Sequence, residues 1–351
     1  MKKSTIHPTR LLLGGLAVGA GVAVALRRPR KDFELKGKVV LIAGGSRGLG
    51  LGLARRFAQE GARLALCARD ERELENAASD LKKWTTDVFT MAADVTERSQ
   101  VEAFVQASLR KFGRIDVLVN NAGLIQVGPL QTLTVEDFET AMKVMYWGHV
   151  YASLAVLPDM LQRGEGRIVN ITSIGGKVSV PHLVPYSCAK FAAVAFSEGL
   201  RSELSGTGVK TVTIAPGLMR TGSFLNTQFK GNDEAEAAWF GVAASLPGLS
   251  ISAERAVDEI ITATKRGTAE KVLGTPAKLL SLFHGVFPGL TADALGMVNR
   301  ALPRGRGRQM RVMRPYIQRN RLLDKITALG QRAARLYLEE EGTQVPELER
   351  V

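Results

Sequence analysis

A serine, a tyrosine and a lysine in the middle of the chain have the types and spacing of a proton-transfer group. Tyr186 and Lys190 are four residues apart, so on a helix their side chains project from the same face. Ser173 lies thirteen residues before Tyr186. An ammonium beside a phenol favours the ionised phenol, whose pKa is otherwise about 10, and a nearby hydroxyl can hold the oxygen of an alcohol or ketone. Such a group acts in redox chemistry only beside a hydride carrier. Without one, an exposed lysine and a half-buried tyrosine are the simpler interpretation.

A binding site for a hydride carrier is predicted near the start of the chain. The apolar run Val39–Ala43 is typical of a buried parallel strand. A turn with Gly44, Gly48 and Gly50 follows it, and residues 51–60 then have apolar side chains at helical spacing. Glycine lets the backbone approach a pyrophosphate closely, and the free N–H groups of a helix N-terminus bind it. Strand, turn and helix therefore predict the first half of a dinucleotide-binding unit.

Together with further motifs, these features resemble the classical short-chain dehydrogenase/reductase family over about residues 35–270. The motifs are, in order, Asp94-Val95, Asn120-Asn121-Ala122-Gly123, Ser173 after the strand-like residues 168–172, and Pro216-Gly217 with Thr221. Strand-like and helical runs alternate through about residue 215, which favours an α/β fold: a Rossmann-type, doubly wound parallel sheet with helices on both faces.

The resemblance implies a role for each motif. Tyr186 would be the general acid/base, Lys190 would lower its pKa and bind the nicotinamide ribose, and Ser173 would orient the substrate oxygen. The residues expected to contact the cofactor are Gly44, Ser46, Arg47, Gly48, Leu49, Gly50, Arg69, Asp94, Val95, Asn121, Ala122, Gly123, Tyr186, Lys190, Pro216, Gly217 and Thr221. No metal ion is expected, because the four histidines and two cysteines show no ligand spacing.

The chain departs from the family pattern at two positions. Ala43 stands where the family usually has threonine, which removes a side-chain hydrogen bond but leaves the backbone turn. Met145 stands where the family often has an asparagine, three residues before Gly148, that supports a water relay to the lysine. Methionine accepts hydrogen bonds only weakly, so the catalytic set reads as a triad. We expect activity to survive, and we expect His149 to face elsewhere.

The second strand-like run, residues 63–69, bears on the choice of dinucleotide. An NAD site wants a carboxylate near the end of this strand for the ribose 2′-hydroxyl, but Cys67 is there, and Arg69 ends the run. Arg69 and Arg47 suit a 2′-phosphate, which guanidinium groups bind through paired donors. NADP(H) is therefore favoured over NAD(H). Asp70 competes one residue beyond Arg69, and solvated surface charge is the alternative for both arginines.

Both ends of the chain extend beyond the predicted catalytic domain of residues 35–270. Residues 1–34 contain an uncharged stretch, residues 11–26, between basic flanks, and they are predicted to form a membrane anchor. A cleaved signal segment and a helix lying in the interface are the alternatives. The flank after the stretch is the more basic, which places the catalytic domain on the cytoplasmic side. Residues 271–351 form a basic, partly amphipathic extension, with eight arginines and no acidic residue within 300–321.

The leading hypothesis is a membrane-associated NADP(H)-dependent oxidoreductase that interconverts a secondary alcohol and a ketone on a hydrophobic small molecule. Aromatic residues within 218–252, a region that forms a substrate flap in the family, suit such a substrate or simply pack the flap. The alternative is a catalytically weakened dinucleotide-sensing or scaffold protein, which Met145 favours. The net charge of +13 fits a membrane surface. A nucleic-acid partner is not expected, because the site motifs give no reason for one. A homodimer or homotetramer is expected by analogy.

Overall fold

The computed structural model describes residues 32–305, 311–312 and 321–339. Its main sheet has seven strands: β1 (Val39–Ala43), β2 (Arg63–Ala68), β3 (Val88–Ala92), β4 (Val117–Asn120), β6 (Gly166–Ile171), β7 (Val209–Pro216) and β11 (Glu270–Leu273). Short strands outside it are β5 (Gln126–Val127), β8 (Leu218–Arg220), β9 (Gln228–Phe229), β10 (Ser250–Ser252) and β12 (Arg311–Val312). The main sheet runs in the order β11-β7-β6-β4-β1-β2-β3, and all its pairings are parallel.

The α-helices of the described residues mostly connect successive strands. They are α1 (Gly48–Gln59), α2 (Glu71–Leu81), α3 (Arg98–Phe112), α4 (Val135–Met142), α5 (Gly148–Arg163), α6 (Val184–Glu203), α7 (Asp233–Ser245), α8 (Ala253–Arg266), α9 (Thr275–Val286), α10 (Pro288–Ala301) and α11 (Arg321–Leu336). Parallel neighbours need such crossovers, and the helices cover both faces of the sheet. The predicted Rossmann-type fold is confirmed.

The strands of the main sheet are buried because helices remove both faces from water. Every residue of β1 is at most 4% exposed, which is why this strand reads as a continuous apolar run. The strand order reverses between β1 and β4, where Ala43 is paired with Asn120. A crevice opens at such a switch point, beyond the carboxyl ends of the strands. The glycine turn after β1 and Asn121 after β4 therefore lie side by side.

The predictions for the two ends of the chain concern a membrane anchor before the catalytic domain and an extension after residue 270. The proposed anchor, residues 11–26, lies outside the described residues. Within the described ranges, no helix has both the length and the apolarity needed to cross a bilayer. At the other end, β11 begins at Glu270, the last residue of the predicted catalytic domain, and adds an edge strand to the sheet. Three helices follow it among the described residues.

Candidate active site

The three candidate catalytic residues are delivered by a strand and a helix that meet at the carboxyl edge of the sheet. Ser173 follows the end of β6 by two residues, and its hydroxyl accepts the Gly175 N–H at 3.0 Å. This bond caps a short 3₁₀ turn and fixes the serine backbone. Tyr186 and Lys190 lie in the first two turns of α6, whose start is favoured by Pro185.

The structure brings the three side chains together. The Lys190 Nζ lies 5.8 Å from the centre of the Tyr186 ring and donates to the Ile171 carbonyl at 2.9 Å. The Ser173 hydroxyl lies close enough to the Tyr186 phenol to lower its pKa. A Cβ on Gly175 would lie 3.0 Å from a Tyr186 ring carbon, so a glycine at this position leaves room for the ring. A serine hydroxyl, a phenol and an amine can together bind and protonate one substrate oxygen.

Burial sets the pKa values of this group more strongly than the charges within it. Burial raises the pKa of Tyr186, and the Ser173 hydroxyl lowers it by less. Burial also lowers the pKa of Lys190 to about 7. In the chain alone, desolvation opposes the charged form of both residues, and the expectation that Lys190 lowers the pKa of Tyr186 stays a prediction. An anion bound beside Lys190 would restore its ammonium form.

A buried chain of polar side chains under the site was missed from sequence. The Asn120 amide donates to the Ser153 hydroxyl at 3.0 Å and to the Asn170 side-chain oxygen at 2.8 Å. Asn170 donates in turn to Ser197 at 3.0 Å, and Ser197 pairs with Thr213 at 2.7 Å. This chain ties β4, β6 and β7 to α6, which carries Tyr186. An asparagine inside an apolar strand was the available signal, because buried amides need partners.

Met145 lies in a π-helical turn, Lys143–Trp147, between α4 and α5. Its side chain is fully buried in an apolar cluster with Ala141 and Ala189, and Tyr186 packs against this cluster. Met145 thus supports the Tyr186 ring by packing. π-helical turns inside helices often mark functional sites.

His149, one turn after Met145, was expected to face elsewhere, but it lies within electrostatic range of Lys190. It is 1% exposed, and burial together with the Lys190 charge lowers its pKa well below the usual value. Both ring nitrogens lack a hydrogen-bond partner in the part of the chain that the structure describes. His149 is therefore a neutral polar group near Lys190.

The glycine turn has the shape of a pyrophosphate cradle. Gly44 has φ +79°, and a Cβ there would lie 2.8 Å from the Ala122 Cα. A Cβ on Gly50 would collide with the Gly44 carbonyl and lie 2.7 Å from the Asn121 amide. That amide donates to the Gly44 carbonyl at 2.7 Å and holds the turn. The residues present therefore fit a dinucleotide, since close backbone approach and a helix N-terminus are what its phosphates need.

Residues 337–339, here called the C-terminal segment, contact this cradle. No pattern in the sequence indicated this contact. The Gly48 N–H donates to the Tyr337 carbonyl at 2.8 Å, and a Cβ on Gly48 would collide with the Glu339 carboxylate. Glu339 is 5% exposed; the Asn226 amide donates to its carboxylate, and to its carbonyl at 3.2 Å. The Arg47 Nε lies 3.7 Å from the same carboxylate. A carboxylate and a carbonyl thus lie beside donors that would serve a pyrophosphate.

The residues around the expected ribose site form a charged cluster. Arg47 lies 3.2 Å from the Glu73 carboxylate, and the Ser46 hydroxyl donates to Glu73 at 2.8 Å. Asp70 caps α2 by accepting the Glu73 N–H at 3.0 Å, which explains an acidic residue at that position. Arg69 is exposed at the end of β2. Glu73 was missed because a carboxylate in the first turn of a helix is ordinary.

The remaining expected cofactor residues lie near the carboxyl ends of strands. Asp94 follows β3 and accepts the Thr96 N–H at 2.9 Å, while Val95 would be 3.1 Å from a Cβ on Gly148. The others are Leu49 in the first turn of α1, Ala122 and Gly123 after β4, Pro216 at the end of β7, Gly217 directly after it, and Thr221 after β8. The described residues hold no cluster of histidine, cysteine and carboxylate side chains that could bind a metal.

The two cysteines lie in different surroundings. Cys67 is buried, and burial raises its pKa to about 12. Cys188 is exposed on α6, between Tyr186 and Lys190 in sequence. Because α6 turns successive residues by about 100°, Cys188 points away from the face that carries Tyr186 and Lys190.

Comparison with known proteins identifies similar enzymes. Residues 38–230 match the family described as short chain dehydrogenase. A dehydrogenase/reductase SDR family protein 7-like from Anopheles gambiae is 37% identical over 206 residues, which are 57% of this chain and 65% of that protein. The chain thus matches slightly less than two thirds of this relative. Dehydrogenase/reductase SDR family member 7B from Danio rerio is 35% identical over 224 residues, 61% of this chain and 72% of the relative.

Solved structures agree with these sequence matches. A short-chain dehydrogenase from Streptomyces avermitilis superposes with a TM-score of 0.64 at 28% identity, covering 76% of this chain and 99% of the other. Levodione reductase superposes with a TM-score of 0.59 at 28% identity, covering 68% of this chain and 96% of the other.

Proposed function

Because the chain belongs to the short-chain dehydrogenase/reductase family, whose members are oxidoreductases acting on CH–OH groups, we propose that it interconverts a secondary alcohol and a ketone with NADP(H). The observation that carries this proposal is the assembly of Ser173, Tyr186 and Lys190 beside the glycine cradle. The nicotinamide, when bound, supplies the hydride. The chain supplies binding, orientation and the proton.

Each of the three residues has a distinct task in reduction. Ser173 and Tyr186 hydrogen-bond the carbonyl oxygen, so negative charge that develops there is stabilised by fixed donors. Tyr186 then transfers its proton to that oxygen. Lys190, held by the Ile171 carbonyl, contributes a positive charge that favours the tyrosinate left behind. Binding both reactants in one crevice adds the advantage of proximity.

A hydrophobic substrate is proposed from apolar residues around this crevice. Phe224, Phe229 and Phe240 are at most 6% exposed, so these flap aromatics pack the flap and do not line an open pocket. The support comes instead from partly buried apolar residues that pack against the cluster of these aromatic rings. They are Ile125, Leu183 and Leu218.

The test substrates follow from the relatives. A Streptomyces coelicolor protein named as a ketoacyl reductase is 37% identical over 186 residues, 52% of this chain and 71% of that protein. A panel of apolar ketones should therefore include ketoacyl compounds and levodione. Turnover is followed as loss of NADPH absorbance.

The catalytic assignment is tested with Tyr186→Phe. Loss of the phenolic proton should lower turnover by about 10²–10⁴-fold, the usual contribution of general acid catalysis. NADPH binding, measured by fluorescence titration, should stay within a factor of a few of wild type. Tyr151→Phe on α5 is the matched control and should keep wild-type turnover. Full activity of Tyr186→Phe would refute the assignment.

The preference for NADP(H) is proposed from Arg47 and Arg69, and Glu73 opposes it. Glu73 engages Arg47 at 3.2 Å, so a 2′-phosphate would have to compete with this carboxylate for the guanidinium. We expect kcat/KM for NADPH to exceed that for NADH. Arg69→Ala should reduce the ratio, and Glu73→Gln should increase it. A higher kcat/KM with NADH in the wild type would reverse the proposal.

A second candidate function, a dinucleotide-sensing protein with weakened catalysis, is favoured by Met145 and by the C-terminal segment in the cradle. It predicts NADPH binding without turnover on any member of the ketone panel. If it were correct, Met145→Asn would restore turnover while leaving NADPH affinity unchanged. A wild-type enzyme that turns over a ketone excludes this candidate.

Membrane association through residues 11–26, with the catalytic domain on the cytoplasmic side, is also proposed. The support is the length, lack of charge and basic flanks of this stretch. The full chain should float with vesicles in a density gradient after an alkaline wash. Val18→Arg should weaken this flotation, because an arginine in the middle of the stretch opposes insertion. Loss of wild-type protein from the vesicles during the wash would contradict an anchor.

A further inference from the structure

Helices α9 and α10 expose the apolar side chains that helices normally bury. Leu282 is 69% exposed, Val286 68% and Met297 63%. The other large apolar residues exposed in these helices and their junction are Leu279, Phe283, Phe287, Leu290 and Val298. Ala277 is the buried residue of α9, and Thr291 is that of α10. A monomer in water rarely leaves a surface of this size and apolarity uncovered.

The two helices form one apolar unit, here called the apolar hairpin, Thr275 to Ala301. Phe287 alone joins them, and its ring centre lies 5.3 Å from that of Phe283. The Thr291 hydroxyl donates to the Phe287 carbonyl at 2.8 Å, so the junction has its own hydrogen bond. Aromatic rings and aliphatic side chains therefore concentrate where the chain turns.

Charged side chains are rare in the middle of the apolar hairpin and are concentrated at its ends and beyond it. Between residues 279 and 299, Asp293 is the single Asp, Glu, Lys or Arg. Lys278 precedes this stretch, and Arg300 and Arg304 follow it, all three exposed. Eight arginines and no acidic residue occur within 300–321. An apolar surface bordered by cations matches the acyl chains and the anionic headgroups of a bilayer.

We propose that the apolar hairpin docks onto an anionic lipid surface, with Leu282, Val286 and Phe287 in the acyl boundary and the flanking basic residues at the phosphates. This inference rests on the membrane association proposed above and adds a second contact, made by the region that follows the predicted catalytic domain. A second copy of the chain fits the surface less well. Pairing two hairpins would bring together the basic flanks of both, and like charges repel.

The test measures the fluorescence of a label at a single position of the full-length protein, which reports whether that position contacts lipid. Cys188→Ser removes the exposed thiol, and buried Cys67 stays unreactive. Val286→Cys is then labelled with an environment-sensitive fluorophore. Val135→Cys is the matched control, because Val135 is also 68% exposed but lies on α4. The labelled chains are reconstituted with vesicles of phosphatidylcholine alone or of phosphatidylcholine with phosphatidylglycerol.

The hairpin label should shift its emission to the blue and be quenched several-fold by nitroxide-labelled lipid, more strongly on the anionic vesicles. The label at residue 135 should do neither. Protein that floats with vesicles while the label at 286 resists the lipid quencher would refute hairpin docking but leave the anchor intact. Protein that fails to float with the vesicles would refute the proposed membrane association as a whole. A blue shift that depends on protein concentration and is insensitive to lipid quencher would assign the surface to self-association, against the proposal.

Discussion

The carboxylate of Glu339 provides a sharp test of how the C-terminal segment affects cofactor binding. It lies beside Gly48 at the N-terminus of α1, where the backbone donors of the cradle would hold a pyrophosphate. Cofactor can use these donors only in molecules whose segment has moved away. The apparent Kd is therefore the intrinsic Kd divided by the fraction of open molecules. Any change that weakens the segment should tighten cofactor binding.

The contacts of Glu339 set the expected change in NADPH affinity. Glu339→Gln keeps the shape and the hydrogen bonds to Asn226 but removes the charge that interacts with Arg47 and with the helix N-terminus. A partly buried charge at such a terminus contributes about 1–2 kcal/mol. If closed molecules predominate, the open fraction rises, and NADPH should bind about 5- to 30-fold more tightly. Isothermal titration with NADPH measures this directly.

A second variant separates displacement from simple repulsion between two anions. Tyr337→Phe removes the hydrogen bond from the phenol to Glu254, 3.2 Å long, without changing any charge at neutral pH. Losing one such bond costs about 0.5–1.5 kcal/mol, so NADPH should bind about 2- to 10-fold more tightly. Glu203→Gln, an exposed carboxylate on α6, is the control and should leave the Kd unchanged. Unchanged affinity in both Glu339→Gln and Tyr337→Phe would refute the reasoning, and tighter binding in Glu339→Gln alone would indicate repulsion without displacement.

Three further outcomes are expected from buried and exposed groups. Burial lowers the pKa of Lys190 from 10.5 to about 7, so between these values the unfolded chain binds more protons than the folded one. The free energy of unfolding of wild type, relative to that of Lys190→Met, should therefore rise with pH above about 7, by at most about 1.4 kcal/mol per pH unit. Denaturant unfolding of both proteins at several pH values measures this difference. A difference that does not change with pH would contradict the prediction. Lys230→Met leaves the buried Asp137 without the ammonium that lies 2.7 Å from its carboxylate. The free energy of unfolding, measured by the same assay, should fall by about 3–5 kcal/mol. A fall of less than about 1 kcal/mol would show that water reaches Asp137. Alkylation of the native protein should modify the exposed Cys188 and spare Cys67, because Cys67 is buried and burial raises its pKa to about 12. Peptide mass spectrometry identifies the modified cysteine. Modification of both cysteines would contradict the burial of Cys67.

Much of the fold and the placement of the triad could be predicted from sequence because their signals are local. A continuous apolar run such as Val39–Ala43 indicates a strand covered on both faces, and the glycines after it indicate a close backbone approach. The four-residue spacing of Tyr186 and Lys190 places both side chains on one face of α6 whatever surrounds it. The Rossmann-type fold, read from these local patterns, is confirmed.

Other features depend on segments that are far apart in sequence. The approach of Glu339 to Gly48 joins residues almost three hundred positions apart, and no periodicity indicates such a contact. The exposure of Cys188 and of Val286 reflects which helix faces find neighbours. The pKa values of Tyr186 and Lys190 depend on how completely the fold excludes water from them, and water exclusion is a property of the packed structure.

The sequence by itself therefore determined the elements, their order and the chemical types of the candidate catalytic side chains, because short-range backbone and side-chain preferences specify these. The tertiary structure decided which groups are desolvated, which donors of the cradle are already engaged and which apolar helices remain uncovered. These properties arise from contacts between distant segments, and only the folded chain brings those segments together.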